Sequence, residues 1–174
     1  SPTMINLEKI LSKLNKISTT DSATEPNFFS VGGCGYLENP TSDLMALFMG
    51  AESNVPRWLA QALMTCLINR GCKEAELLEG TDWDKVTARR EVPYRDHDVE
   101  YPKRLDLVIS DGNFVLGVEH KVYASAAYNP FNIYDRLLHS EKTAGPVLKC
   151  VLRSNQEYSD VPADWPVISY KELT

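Results

Sequence analysis

The chain has 174 residues, 43% of them hydrophobic and 24% charged, the balance of one globular domain with a sizeable core. Its formal net charge of −6 argues against a general nucleic-acid coat protein, and no apolar run approaches membrane-spanning length. Cys34, Cys66, Cys72 and Cys150 lack CxxC spacing and only 3 histidines are present, which argues against a structural zinc site and fits a reduced, cytoplasmic setting.

Ser1-Pro2-Thr3 ahead of Met4 reads as a cloning remnant, and no signal peptide follows. Leu7, Ile10, Leu11, Leu14 and Ile17 recur at helical spacing with lysines opposite, predicting an amphipathic helix over residues 5–17. Packing against the core explains it, and partner binding is the alternative. Ser18 to Pro26 is a polar loop. Gly32-Gly33-Cys34-Gly35 lacks the Gly-Lys-Ser/Thr end of a phosphate loop. Asn39 and Pro40 suit the N-cap and first helical position of a helix through Leu44, Met45, Leu47 and Phe48, with Glu38 just ahead of it. A second helix spans Pro56 to Arg70 on Trp58, Leu59, Ala62, Leu63, Cys66 and Leu67, and Gly71 stops it. The acidic stretch Lys73 to Asp84 reads as solvated.

Ala88 to Arg95 predicts the first strand and Asp96 to Lys103 a charged loop holding His97. Arg89, Arg90, Arg95, Lys103 and Arg104 concentrate positive charge in an acidic chain and suit sequence-independent phosphate contacts, a solvated strand edge being the alternative for Arg89 and Arg90. Arg104 to Lys121 then reads as one β-hairpin. Leu105, Leu107 and Ile109 alternate with Arg104, Asp106 and Val108, and Leu116 and Val118 alternate with Gly117, Glu119 and Lys121. Asp111-Gly112 predicts a two-residue turn. With Ser110 facing Asn113, Asp106 faces Gly117, which leaves open space beside it, and Arg104 faces Glu119. Asp106, Glu119 and Lys121 then share one sheet face with the carboxylates diagonal to one another. A one-residue slip would substitute Val118 and His120. Such acids suit a hard divalent cation; an exposed hairpin with a solvated charged face is the plain alternative.

Asn129-Pro130 repeats the cap-plus-proline start ahead of a helix over Phe131 to His139, with Asn132 and Arg136 one turn apart and Tyr134 nearby. Gly145 ends the connection, Val147 to Leu152 is a buried strand, and Trp165 to Tyr170 is the last. No G-x-S-x-G elbow supports a serine hydrolase.

The spacing Asp106-x₁₂-Glu119-His120-Lys121 within hydrophobic strands resembles the PD-(D/E)xK, or restriction-endonuclease-like, nucleases, although Leu105 stands where they usually carry proline. Glu38-Asn39-x-Thr41 is similar to the family's opening of its first core helix, and Asn132 takes the place of a glutamine common in its later helix. The resemblance implies an α/β (α+β sandwich) fold: an αβββαβ core over roughly residues 36–152 in a single domain, with a mixed central sheet flanked by helices and an extra N-terminal helix. It implies phosphodiester hydrolysis, usually in DNA, with RNA as the other substrate. Asp106 and Glu119 would hold Mg²⁺ or Mn²⁺ together with the backbone carbonyl of His120, the His120 side chain pointing to the opposite face. Lys121 would position or deprotonate water, and Glu38 would bind a second metal or orient water. Arg89, Arg90, Arg104 and Asn132 are the nucleic-acid candidates. The alternative is a weak or inactive nuclease-fold module for regulation or protein interaction. No membrane partner is expected, and the oligomeric state stays open, a homodimer included.

Overall fold

The computed structural model describes residues 34–94, 102–121, 129–154 and 160–173, with side chains from Thr41 onward. The predicted helix over residues 5–17, most of the Asp96 to Lys103 loop and His97 lie outside them. Helix α1 is Cys34–Leu47, α2 is Trp58–Asn69 and α3 is the short Lys73–Glu76. A 3-10 turn at Trp83–Lys85 leads into β1 (Thr87–Pro93), β2 (Arg104–Ser110) and β3 (Val115–Lys121). Helix α4 (Phe131–Ser140), β4 (Val147–Arg153), β5 (Val167–Ser169) and a 3-10 turn at Tyr170–Leu173 complete the order.

The strands form one sheet in the order β1-β2-β3-β4-β5, the first two pairings antiparallel and the last two parallel. Antiparallel neighbours need only a short loop, whereas the parallel β3–β4 pair needs a crossover, which α4 supplies. Two apolar clusters cover the two faces. Met45, Met49, Leu63 and Leu67 of the α1–α2 layer pack on Leu107, Leu116, Val118 and Leu152. On the other face Phe131, Tyr134, Leu137 and Leu138 of α4 pack on Val108, Val115, Val151 and Trp165.

Several local expectations need correction. Helix α1 already runs from Cys34, so Asn39 and Pro40 do not start it and Glu38 sits inside it. Asn129 makes no cap either: Pro130 is the N-cap of α4, and Asn129 Nδ2 donates to the Tyr134 hydroxyl. Lys73 to Asp84 is partly structural, because Ala75 and Leu78 are buried. The last strand covers only Val167–Ser169.

The hairpin turn also differs. Ser110 pairs with Val115, leaving residues 111–114 in the loop, where Asp111 Oδ1 accepts from the N–H groups of Asn113 and Phe114 at 2.8 and 3.2 Å. An aspartate that bonds its own following backbone stabilises a longer turn, and Gly112 supplies φ +88°. Relative to the expected pairing the register moves by two residues, so the faces are kept. The ladder runs only to Leu107↔Val118; one step further Asp106 stands opposite Glu119. Gly117 is not beside open space: a Cβ there would lie 2.6 Å and 2.7 Å from the Leu138 methyls and 2.9 Å from Leu105. Its missing side chain lets α4 sit close over β3.

A kink marks the other side of Asp106. Between the pairs Arg90↔Leu107 and Val92↔Leu105 stand Glu91 and Asp106, and Glu91 has φ +50°, a left-handed conformation costing a non-glycine residue about 1–2 kcal/mol. Ala88 and Leu107 join the cluster under α1 and α2, whereas Val92 and Leu105 join the one under α4. Residues two apart on a regular strand share a face, so both strands swap faces here.

Candidate active site

The sheet therefore opens around Asp106 on both edges of β2, and polar groups gather in the gap. With the β2–β3 ladder ended, the main-chain N–H of His120 donates to Asp106 Oδ2 at 2.9 Å. Arg90 Nη1 donates to the Asp106 carbonyl oxygen at 2.7 Å and lies 3.8 Å from Oδ1. Its Nε donates to Asp43 of α1 at 2.9 Å, so one guanidinium ties the kinked strand to α1.

Glu119 is the most enclosed acid among the described residues, its side chain only 4% exposed. Asp106 and Tyr134 stand beside it, and Lys121 Nζ lies 3.7 Å from its Oε1. Because Tyr134 OH accepts from Asn129 Nδ2 at 3.0 Å, its own O–H is free to donate to Glu119. Burial above all, and then the charge of Asp106, pushes the Glu119 carboxyl well above the usual carboxylate range; Lys121 and the Tyr134 hydroxyl offset this only in part. Burial, followed by the charge of Glu119, likewise pushes the Tyr134 phenol up, so it stays a donor. The other oxygen, Glu119 Oε2, is buried and has no hydrogen-bond partner among the described residues.

The neighbouring His120 points its ring to the opposite face. There it is fully buried, with Nδ1 2.7 Å from Ser42 Oγ and Nε2 hydrogen-bonded to the Tyr170 hydroxyl. Burial first, then the charges of Arg90 and Lys121, pulls its pKa down to about 3, so the ring is neutral.

Asp106, Glu119 and Lys121 thus meet on the α4 side of the sheet. Glu38 lies in α1, four residues before Ser42, with its side chain outside the described residues. Arg89 is 2.8 Å from Glu141, and Arg104 is exposed at the start of β2. Asn132 is exposed on α4, while Tyr134, two residues on, faces the acids. Sequence reasoning missed Tyr134, the bracing role of Arg90 and the partners of His120. The signal for the last was a lone histidine in an apolar strand.

A model of the PD-(D/E)XK nuclease superfamily matches residues 26–174, spanning both acid-bearing strands, Lys121 and α4. The chain belongs to the PD-(D/E)XK nuclease superfamily. Comparison with curated proteins and with solved structures gave no match. The mixed five-stranded sheet between helices is the restriction-endonuclease-like architecture of this superfamily of hydrolytic nucleases, which generally use divalent metals. No helix among the described residues is long and apolar enough to cross a membrane.

Proposed function

We propose that the chain is a Mg²⁺- or Mn²⁺-dependent nuclease hydrolysing phosphodiester bonds in DNA, with Asp106, Glu119 and Lys121 at its centre. The observation that carries this reading is the unpartnered, buried Oε2 of Glu119 beside a second carboxylate. A buried acceptor left bare costs about 1–3 kcal/mol, and more when charged. Two oxygen donors of this kind fit a hard cation that completes its shell with water and phosphate oxygens. Asp106 and Glu119 would hold it with the main-chain carbonyl of His120, and Glu38 would bind a second ion or orient water. Among the described residues no group of three or more Asp, Glu, His or Cys side chains converges, so no larger protein cage is invoked. Bound there, the ion supplies Lewis acidity, offsetting phosphate charge and acidifying water.

The chain's own residues do the rest. Glu119 would offer its carboxylate to the cation, with the Tyr134 hydroxyl placed to steady it. The His120 N–H fixes Asp106 through Oδ2. Lys121, only 12% exposed and 3.7 Å from Glu119, would orient an attacking water or a phosphate oxygen. Arg104 supplies a sequence-independent phosphate contact. A cytoplasmic setting belongs to the same reading, since Cys66, Cys72 and Cys150 are free thiols.

The second reading is a nuclease-fold module without strong catalysis. It is favoured by the short ligand set and by the pairing of Arg89 and Arg90 with acids. Cleavage of single- and double-stranded DNA with Mn²⁺, with Glu119→Ala as control, separates the two: cutting lost in the variant supports the enzyme, and no cutting by either protein supports the module.

A further inference from the structure

His120 stands between Glu119 and Lys121, yet its ring lies on the far side of the sheet, the face that carries Leu116, Val118, Cys150 and Leu152. An aliphatic side chain there would avoid burying two polar nitrogens, which is costly unless both are bonded. Both are bonded: Nδ1 to Ser42 Oγ at 2.7 Å, and Nε2 to the Tyr170 hydroxyl. A neutral imidazole has one donor and one acceptor nitrogen, so one hydroxyl donates to the ring and the other accepts from it. The three residues come from α1, β3 and the turn after β5. Directional bonds between such distant elements fix a relative position that apolar contact alone would let slide.

On the site side, the main chain of the same residue reaches Asp106. We propose that the Ser42–His120–Tyr170 chain is a positioning device: it locks the backbone at His120 so that its N–H holds Asp106 and the flanking Glu119 and Lys121 face the gap. Ser42 lies four residues after Glu38, so the same bond anchors the helix carrying Glu38. The consequence for cleavage rests on the nuclease reading; the consequence for the backbone does not.

An asparagine amide reaches about as far as Nδ1 and a glutamine amide about as far as Nε2, which separates the two bonds. Ser42→Ala and His120→Gln both lose the α1 link, and His120→Asn keeps a partner for Ser42. The experiment measures amide hydrogen exchange at position 120 against that of Leu116 and Val118, alongside Mn²⁺ affinity and DNA cleavage. In Ser42→Ala and His120→Gln the amide at position 120 exchanges about tenfold faster, the net effect of one hydrogen bond, while Leu116 and Val118 keep their protection. Mn²⁺ affinity and kcat fall by about 10–100-fold, as for lost outer partners of metal ligands, with KM for DNA unmoved. His120→Asn recovers most of what His120→Gln loses, and the Ser42→Ala/His120→Gln double variant is no worse than either single. Unchanged exchange at position 120 in Ser42→Ala overturns the proposal. So does exchange that rises evenly across the sheet, because that is a loss of stability without positioning. Wild-type protein that neither binds Mn²⁺ nor cuts DNA would refute the nuclease reading, and exchange at position 120 would still decide the positioning.

Discussion

The His120 N–H donates to Asp106 Oδ2 at 2.9 Å, so a strand amide serves a carboxylate where the ladder would have given it a carbonyl. Asp106→Asn can present its amide oxygen to that N–H, keeping the bond while removing the charge. The urea midpoint should stay close to wild type while Mn²⁺ affinity falls by more than about tenfold, since this group is a proposed ligand and even outer partners are worth that much. Calorimetric titration beside urea denaturation checks both halves.

Stability of the metal-free protein should depend on pH through two opposed groups. His120 is held at about 3, below the ~6.5 of an unfolded histidine. The unfolded chain therefore binds more protons as pH falls through this window, so the contribution of neutral His120 is full above about pH 6.5 and is lost on acidification. Glu119 has the opposite sign: its raised pKa makes the folded chain bind more protons, and acidification favours folding. Glu119→Gln removes only the second effect. Its stability should fall more steeply than that of wild type as pH drops toward the ~4.3 of an unfolded glutamate, by up to ~1.4 kcal/mol per pH unit for one proton. Parallel curves for the two proteins would contradict this.

Gly117 and Leu138 should be energetically coupled. Gly117→Ala would place its methyl 2.6 Å and 2.7 Å from the Leu138 methyls, an overpacking worth about 1–3 kcal/mol. Leu138→Ala, at a fully buried position, should cost about 2–5 kcal/mol through the cavity it leaves. In the double variant the new methyl enters part of that cavity, and the total should be less than the sum of the two. Strict additivity in urea denaturation would show that the two do not share space.

Strand periodicity made the hairpin legible, and the even register shift is why Asp106 and Glu119 still share a face after the turn proved longer. The Asp111-Gly112 pair was misread because the Asp111 side chain bonds forward to Asn113 and Phe114, a choice that dipeptide statistics do not fix. Asn39-Pro40 and Asn129-Pro130 failed as starts for different reasons. The first lies within a helix already under way, and in the second the asparagine is drawn to Tyr134. The kink at Glu91 was invisible, since a left-handed glutamate follows from what both strand faces must pack against. Tyr134 and the ring partners of His120 depend on contacts across 5 to 78 positions of sequence, beyond any local pattern.

Arg90 and Arg104 should separate bracing from substrate contact. Arg90 bonds Asp43 and the Asp106 carbonyl, so Arg90→Ala should cost about 1–3 kcal/mol and weaken Mn²⁺ binding. Arg104 is exposed, so Arg104→Ala should leave stability within about 0.5 kcal/mol and reduce the slope of log affinity for DNA against log salt by about 1. Affinity measured at several salt concentrations checks this. An unchanged slope in Arg104→Ala would place the nucleic acid elsewhere.

The most direct test of a cation site at Asp106 and Glu119 is Mn²⁺ titration of wild type, Glu119→Ala and Lys121→Ala, paired with cleavage of DNA by each. Wild type should bind and cut, Glu119→Ala should lose both, and Lys121→Ala should keep binding while cutting falls by at least about 100-fold, as expected of a proton-handling group. Mn²⁺ binding that survives unchanged in Glu119→Ala, or a wild-type protein that binds no divalent ion, would contradict it.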